Sequence, residues 1–173
     1  SKVGGPFEMV QLWVNLPKKD KLTKPNYQAL EAANMGKLTL PNNAGFINII
    51  AGDLNGIKGP ATTYSPVNLW DIKLNAGGSI VVEVAAKHNT ALLLIEGNAT
   101  VNGEVVKEHS FVLFKNEGEA IEISTNENAV LLLLSGEPLN EPIASYGPFV
   151  MNTQAEIYEA IEEFQNGKFG ELH

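Results

Sequence analysis

Hydrophobic residues recur at every second position in a series of short runs, each closed by glycine, proline or a polar turn. Met9 to Leu16 (MVQLWVNL) sets Val10, Leu12, Val14 and Leu16 on one face and Gln11, Trp13 and Asn15 on the other, which predicts a strand. Pro17 stops it, because proline has no N–H to give to a ladder. Phe46 to Ala51 reads as the next strand. Val67 to Leu74 alternates well, with Asn68, Trp70, Ile72 and Leu74 carrying most of the apolar bulk on one side. The series continues through Ser79 to Ala85, Ala91 to Glu96, Ala99 to Val101, Glu104 to Val106, Phe111 to Phe114, Ala120 to Ser124 and Ala129 to Ser135. Asn102-Gly103 is the preferred pair for a two-residue type I′ hairpin. The unbroken apolar run Ala129 to Leu134 predicts a strand buried on both faces. Short strands separated by regular turn signals predict an all-β sandwich or barrel, with Greek-key jelly rolls among the solutions.

Three stretches depart from that period. Tyr27 to Met35 predicts a short helix ending at Gly36. Gly52 to Pro66 is rich in glycine, proline and threonine and predicts an irregular connection, either functional or crossing between sheets. At the C-terminus the spacing becomes helical. Thr153 followed by Glu156 forms a capping box, Ile157, Ile161 and Phe164 share one face, and Gly167 closes the helix.

Composition narrows the function classes. The chain has 173 residues, enough for one domain with a sizeable core. Its formal charge is −8, and all twelve basic residues are lysine. An acidic chain without arginine lacks the bidentate contacts and basic stripe that nucleic acid binding uses. The same balance argues against a polybasic membrane patch. Cysteine is absent, so there are no disulfides, thiolate metal sites or cysteine nucleophiles, which fits a reducing compartment and a cytoplasmic location. No apolar run reaches transmembrane length, and the opening SKVGGPFEM has no signal-peptide core and no initiator methionine. No G-x-S-x-G, phosphate-cradling loop or spaced metal-ligand cluster is present.

The stretch Gly77 to Gly97 (GGSIVVEVAAKHNTALLLIEG) carries the spacing of the first motif of the cupin family. Between its framing glycines, metal-binding cupins place His, His and Glu where this chain has Glu83, Ala85 and Thr90. Counting from Gly118, the slot of the second motif's histidine holds Ile121. The stretch resembles a cupin core whose metal ligands are absent. A non-haem iron site needs convergent imidazoles and a carboxylate; Glu83 supplies a carboxylate, and Ala85, Thr90 and Ile121 supply nothing a metal takes in their place. His88 falls between ligand positions and reads as a polar loop residue, as does His109; His173 is the last residue. Asp53 and its loop, with Glu83 and His88, are the candidate contacts at a barrel mouth. An ion pair of Glu83 with Lys73 or Lys87 is a further expectation.

Three longer stretches resemble the pirin family, which is built from two cupin domains. They are QLWVNLP (Gln11 to Pro17) with PNYQ (Pro25 to Gln28), SGEPLNEP (Ser135 to Pro142), and YGPFVMNT (Tyr146 to Thr153) leading into the acidic helix. The resemblance covers the second half of such a bicupin. It implies a cupin-type double-stranded β-helix, a jelly-roll barrel with one C-terminal α-helix. The organisation expected is 1–26 as an N-terminal strand and linker-like segment, 27–152 as the barrel, and 153–173 as a helix packed on the barrel or a partner. In pirins the iron lies in the N-terminal cupin, held by three histidines and a glutamate, and the C-terminal cupin generally has none.

The chain is therefore expected to hold no cofactor and to be non-catalytic alone. Its expected role is structural, as the cover of an N-terminal cupin or as a homodimer or domain-swapped pair. Two further readings stay open. One is half of a quercetin 2,3-dioxygenase whose iron site lies in a missing N-terminal cupin, since the resemblance implies that activity for some members and redox-sensitive protein or transcriptional-cofactor binding for others. The other is a metal-independent cupin that binds a small molecule.

Overall fold

The computed structural model of the chain describes residues 3–5 and 7–170. Within them the chain divides into two compact units, residues 24–140 and residues 1–23 with 141–173.

The larger unit is the strand-rich one. A six-stranded antiparallel sheet is built from β1 (Gly36–Thr39), β2 (Gly45–Ala51), β5 (Val67–Leu74), β7 (Asn89–Glu96), β10 (Phe111–Leu113) and β12 (Ala129–Gly136), in the order β1-β2-β5-β12-β7-β10. A four-stranded sheet is built from β6 (Ser79–Glu83), β8 (Ala99–Val101), β9 (Glu104–Val106) and β11 (Ala120–Ser124), in the order β6-β11-β8-β9. From β5 to β12 the chain crosses repeatedly between the sheets, with β8 and β9 a hairpin inside the smaller one, and a single apolar core holds the sheets face to face. Ile47, Ile49, Trp70, Ile72, Leu92, Leu94, Leu131 and Leu133 come from the larger sheet; Val82, Val101, Ile121 and Ile123 come from the smaller. The period-two pattern explains the pairing: one face of each strand is apolar and must be covered. β5 sends Trp70, Ile72 and Leu74 inward as expected. β12 buries Leu132 on its other face as well as Leu131 and Leu133 on the core face, which is why its sequence does not alternate. The result is a jelly roll whose two sheets face each other without closing into one continuous barrel.

Turn chemistry accounts for the tight connections. Asn102 and Gly103 have φ of 47° and 83°, the left-handed pair of a type I′ turn between β8 and β9. Asn55 and Gly56, at 54° and 82°, do the same between β3 (Asp53–Leu54) and β4 (Ile57–Lys58). The connection from Gly52 to Pro66 thus contains a small hairpin rather than irregular chain alone. Tyr27 to Met35 holds only one 3₁₀ turn, Ala32–Asn34, with no side-chain cap, so the predicted helix is corrected to irregular chain around that turn.

The smaller unit joins the two chain ends. A hairpin of β13 (Ala144–Tyr146) and β14 (Phe149–Met151) leads into α1 (Gln154–Gln165). The capping box is present: Glu156 N–H donates to Thr153 Oγ1 at 3.2 Å, and Glu156 Oε2 accepts from Thr153 N–H at 3.0 Å. Phe149 meets Phe164 edge-on at 6.0 Å and Phe169 at 6.5 Å, fixing the helix on the hairpin. The N-terminal residues are tied to the same unit. Lys18 N–H donates to Glu141 Oε2 at 2.8 Å, and Lys18 Nζ lies 3.1 Å from Glu156 Oε1. Lys21 Nζ donates to Val150 O at 3.2 Å and Asn15 Oδ1 at 2.6 Å. Met9 to Leu16, predicted as a strand, joins no ladder. Its alternation is real, but the segment pairs with no strand among the described residues.

Candidate functional site

The two sheets leave a small cleft at one end of the jelly roll, about 40 Å³, lined by residues that include Ala85, His88, Thr90, Phe114 and Ile121. Three of the four positions where the sequence frame expects metal ligands therefore meet here. Their side chains do not suit a metal. Ile121 projects inward from β11, opposite Val82, and is part of the apolar core. Ala85 carries only a methyl group. Thr90 has a hydroxyl, but it is engaged elsewhere. Glu83 is exposed and is not among the residues around the cleft, because Val82 beside it points inward and the strand period turns Glu83 out. The donor set here does not fit an iron ion. Among the described residues, no three His, Cys, Asp or Glu side chains converge anywhere.

What occupies the cleft wall is a chain of polar groups. Ser135, near the end of β12, lies directly across the ladder from Thr90 of β7. Thr90 Oγ1 donates to Ser135 Oγ at 3.2 Å, and Ser135 Oγ lies 3.0 Å from His88 Nδ1. His88, Thr90 and Ser135 are 9%, 4% and 3% exposed. A hydroxyl has one proton and two acceptor positions. Thr90 fills one acceptor position, and Ser135 Oγ meets His88 Nδ1 either with its own proton or through its second lone pair, according to the imidazole tautomer. His88 is thus a buried, bonded residue rather than a solvated loop histidine. Beside it, Lys87 is bonded to Glu137, not to Glu83. The Lys87 hydrogen bond and charge hold the Glu137 carboxyl below its ordinary range, with His88 a lesser contributor.

The remaining candidates lie apart from this cluster. Asp53 is exposed in the β3–β4 hairpin, where its Oδ1 accepts from Gly56 N–H at 2.9 Å; it closes a turn and does not reach the cleft. Lys73 sits 3.9 Å from Asp71, again not from Glu83. His109 is an exposed turn residue with φ of 62°, and His173 lies outside the described residues. Trp70 is buried in the core and Trp13 is exposed. Ser135 was not singled out by the sequence, though a signal exists: it falls on the inward period of Ala129, Leu131 and Leu133, where a hydroxyl must find a partner.

A face-to-face pair of antiparallel sheets, with a glycine-framed hairpin at the cleft, defines a cupin-type jelly roll. Comparison with known proteins agrees. The family model described as the pirin C-terminal cupin domain matches residues 69–170. The chain belongs to the pirin family. It is 44% identical, over 98% of its length, to a Pseudomonas aeruginosa protein provisionally named a quercetin 2,3-dioxygenase, of which it covers 59%. It is 32% identical to human pirin, with 95% of this chain and 58% of that protein covered. The crystal structure of a quercetin 2,3-dioxygenase from Acinetobacter baumannii superposes with a TM-score of 0.87 at 41% identity, over 93% of this chain and 56% of that one. The chain therefore spans less than two thirds of the length of the relatives it matches. Among the described residues, no helix is long and apolar enough to cross a membrane.

Proposed function

We propose that this chain is a metal-free, non-catalytic C-terminal cupin whose role in a pirin-like protein is structural and interactive. One observation carries the reading. The frame that in metal-binding cupins gathers imidazoles and a carboxylate here gathers Ala85, Ile121 and a Thr90 hydroxyl already bonded to Ser135. A soft-to-borderline divalent ion finds one imidazole near the cleft, and its Nδ1 is taken. The small-molecule reading has little support, since about 40 Å³ is far below the space a drug-sized ligand fills. The test is direct. The purified chain is incubated with iron(II) or nickel(II) under anaerobic conditions, dialysed, and assayed for bound metal and for a thermal shift. The expected result is no stoichiometric metal and no shift; retention of one ion per chain would overturn the reading.

A second reading concerns the longer protein. The names of the Pseudomonas and Acinetobacter relatives point to quercetin dioxygenation, and this chain covers little more than half of each. In that case the chemistry belongs to the other cupin. A longer protein carrying both cupins should then consume quercetin with dioxygen equally well when Thr90 is replaced by valine. Loss of turnover in a folded Thr90→Val protein would place the reaction in the cleft described here.

A further inference from the structure

Residues 15–21 are fastened to the hairpin and helix of the smaller unit by two lysines. Lys18 opens a single 3₁₀ turn, Lys18–Asp20, behind buried Pro17. Its backbone N–H donates to Glu141 Oε2 at 2.8 Å, and its Nζ lies 3.1 Å from Glu156 Oε1. Lys21 Nζ donates to Val150 O of β14 at 3.2 Å and to Asn15 Oδ1 at 2.6 Å.

Glu156 has a different task on each oxygen. While Oε1 holds Lys18, Oε2 accepts from Asn152 N–H at 2.9 Å and Thr153 N–H at 3.0 Å, the two backbone donors just ahead of α1. Both oxygens belong to one planar group. Lys18 on Oε1 therefore favours the rotamer that aims Oε2 at the helix start, where a negative charge is also welcome. Glu141 makes a second bridge. Its Oε2 takes the Lys18 N–H and also Asn152 Nδ2, at 3.1 Å, and Asn152 Nδ2 reaches Pro142 O at 2.9 Å.

The closed arrangement carries a cost. Asn152 is 5% exposed, and its Oδ1 is buried without a partner among the described residues, whereas most buried acceptors in folded proteins are bonded. The ion pair set against that cost is partly in water: the side chains of Lys18 and Glu156 are 61% and 23% exposed. Such a pair is weak and is screened by salt. The orphaned amide oxygen is neutral, and salt leaves its cost in place.

We propose that Lys18, Glu141 and Glu156 form an electrostatic latch, which couples the seating of residues 15–21 to the capping of α1 and opens as ionic strength rises. The coupling is reciprocal. Releasing Lys18 loosens the helix start, and a frayed helix start releases Lys18. Closed, the latch anchors the uncharged segment Met9 to Asn15 at its Pro17 end; open, it frees that segment. The latch uses no residue of the cleft and is independent of the metal-free reading.

Amide exchange of the 173-residue chain, read by NMR between about 0.01 and 1 M salt, tests it. The Lys18, Asn152 and Thr153 amides should exchange faster together as salt rises, by roughly two- to fivefold. The reference is Gly56 N–H, which donates to the Asp53 carboxylate outside the latch. Lys18→Met keeps the aliphatic stem and drops the charge. At low salt it should speed exchange at Asn152 and Thr153 by the same factor and remove their further response to salt. Lys19→Met deletes a neighbouring charge that makes no ion pair among the described residues, and should change neither amide. The proposal is overturned if a folded Lys18→Met protein keeps the parent rates at Asn152 and Thr153, or if Lys19→Met matches it. It is overturned equally, on the parent chain alone, if the three amides answer salt separately or no more than Gly56 does.

Discussion

Replacing Ser135 with alanine puts a number on the polar chain at the cleft. The hydroxyl accepts from Thr90 Oγ1 at 3.2 Å and serves His88 Nδ1 at 3.0 Å. Alanine removes both contacts at once and strands Thr90 Oγ1 and His88 Nδ1 in residues no more than 9% exposed. Each stranded buried group costs roughly 1–3 kcal/mol. The cleft beside His88, about 40 Å³, has room for a water that restores part of the loss on the imidazole side. The net expectation is a destabilisation of about 2 kcal/mol, or a fall in Tm of roughly 4–8 °C for a chain of this size. Thr90→Val removes only the donor. Ser135 keeps its bond to His88 and loses only the one from Thr90, so the cost should be smaller, about 1 kcal/mol. Urea unfolding followed by circular dichroism and by the fluorescence of buried Trp70 measures all three proteins, with the double variant closing the cycle. The chain of bonds predicts a coupling of at least about 0.5 kcal/mol between the two sites. A Ser135→Ala protein within about 0.5 kcal/mol of the parent would refute the reasoning, and so would a Thr90→Val protein less stable than Ser135→Ala.

Three other expectations follow from single features. Leu133 is fully buried on the core face of a central strand, so Leu133→Ala should lose about 2–5 kcal/mol in the same urea assay. Gly103 has φ of 83° with open space around its Cβ position, so Gly103→Ala should cost only the left-handed strain, about 1–2 kcal/mol, and leave the fold unchanged by circular dichroism. Glu156 takes hydrogen bonds from Lys18, Asn152 N–H and Thr153 N–H, and these hold its carboxyl below the ordinary range. Its contribution to stability is therefore present above the unfolded value of about 4.3 and is lost as pH falls through the lower folded value. Glu156→Gln should destabilise the chain near neutrality and converge with the parent in acid, as read from Tm across a pH series.

The strands that can be read from sequence are those whose alternation is imposed by the core. Val67–Leu74, Ala99–Val101 and Ala120–Ser124 are legible to the residue, since each sends alternate side chains between the sheets, and Glu104–Val106 is legible from the Asn102-Gly103 turn that precedes it. The capping box was legible for the same kind of reason: two side chains at fixed spacing satisfy backbone groups that the helix end leaves unpaired. Elements outside the core were not. β1 has one half-buried leucine and one exposed lysine to show, and β3 and β4 have two residues each, too few for a period even though Asn55-Gly56 marks the turn. Met9 to Leu16 shows the converse: a pattern is an offer to pair, and no strand among the described residues takes it up.

The cleft was half legible, and the reason lies in what the glycine frame reports. Gly97 has φ of 72°, and a Cβ there would lie 2.4 Å from Asn128 O; Gly77 has φ of 78°. Both demands belong to the backbone of the hairpin and hold whether or not a metal is gripped. The frame therefore located the cleft, and it placed Ala85, Thr90 and Ile121 around it, but it carried no information about chemistry. That information sits in the side chains, and there the frame misdirected: it drew attention to Glu83, which the strand period turns outward, and passed over Ser135, twenty-five strand and turn residues beyond Ser110 and outside the motif altogether. The polar chain at the cleft is assembled across β7 and β12, which are neighbours in the sheet and distant in sequence. Only the ladder brings Thr90 opposite Ser135, so a one-dimensional spacing rule has no means of finding the pair.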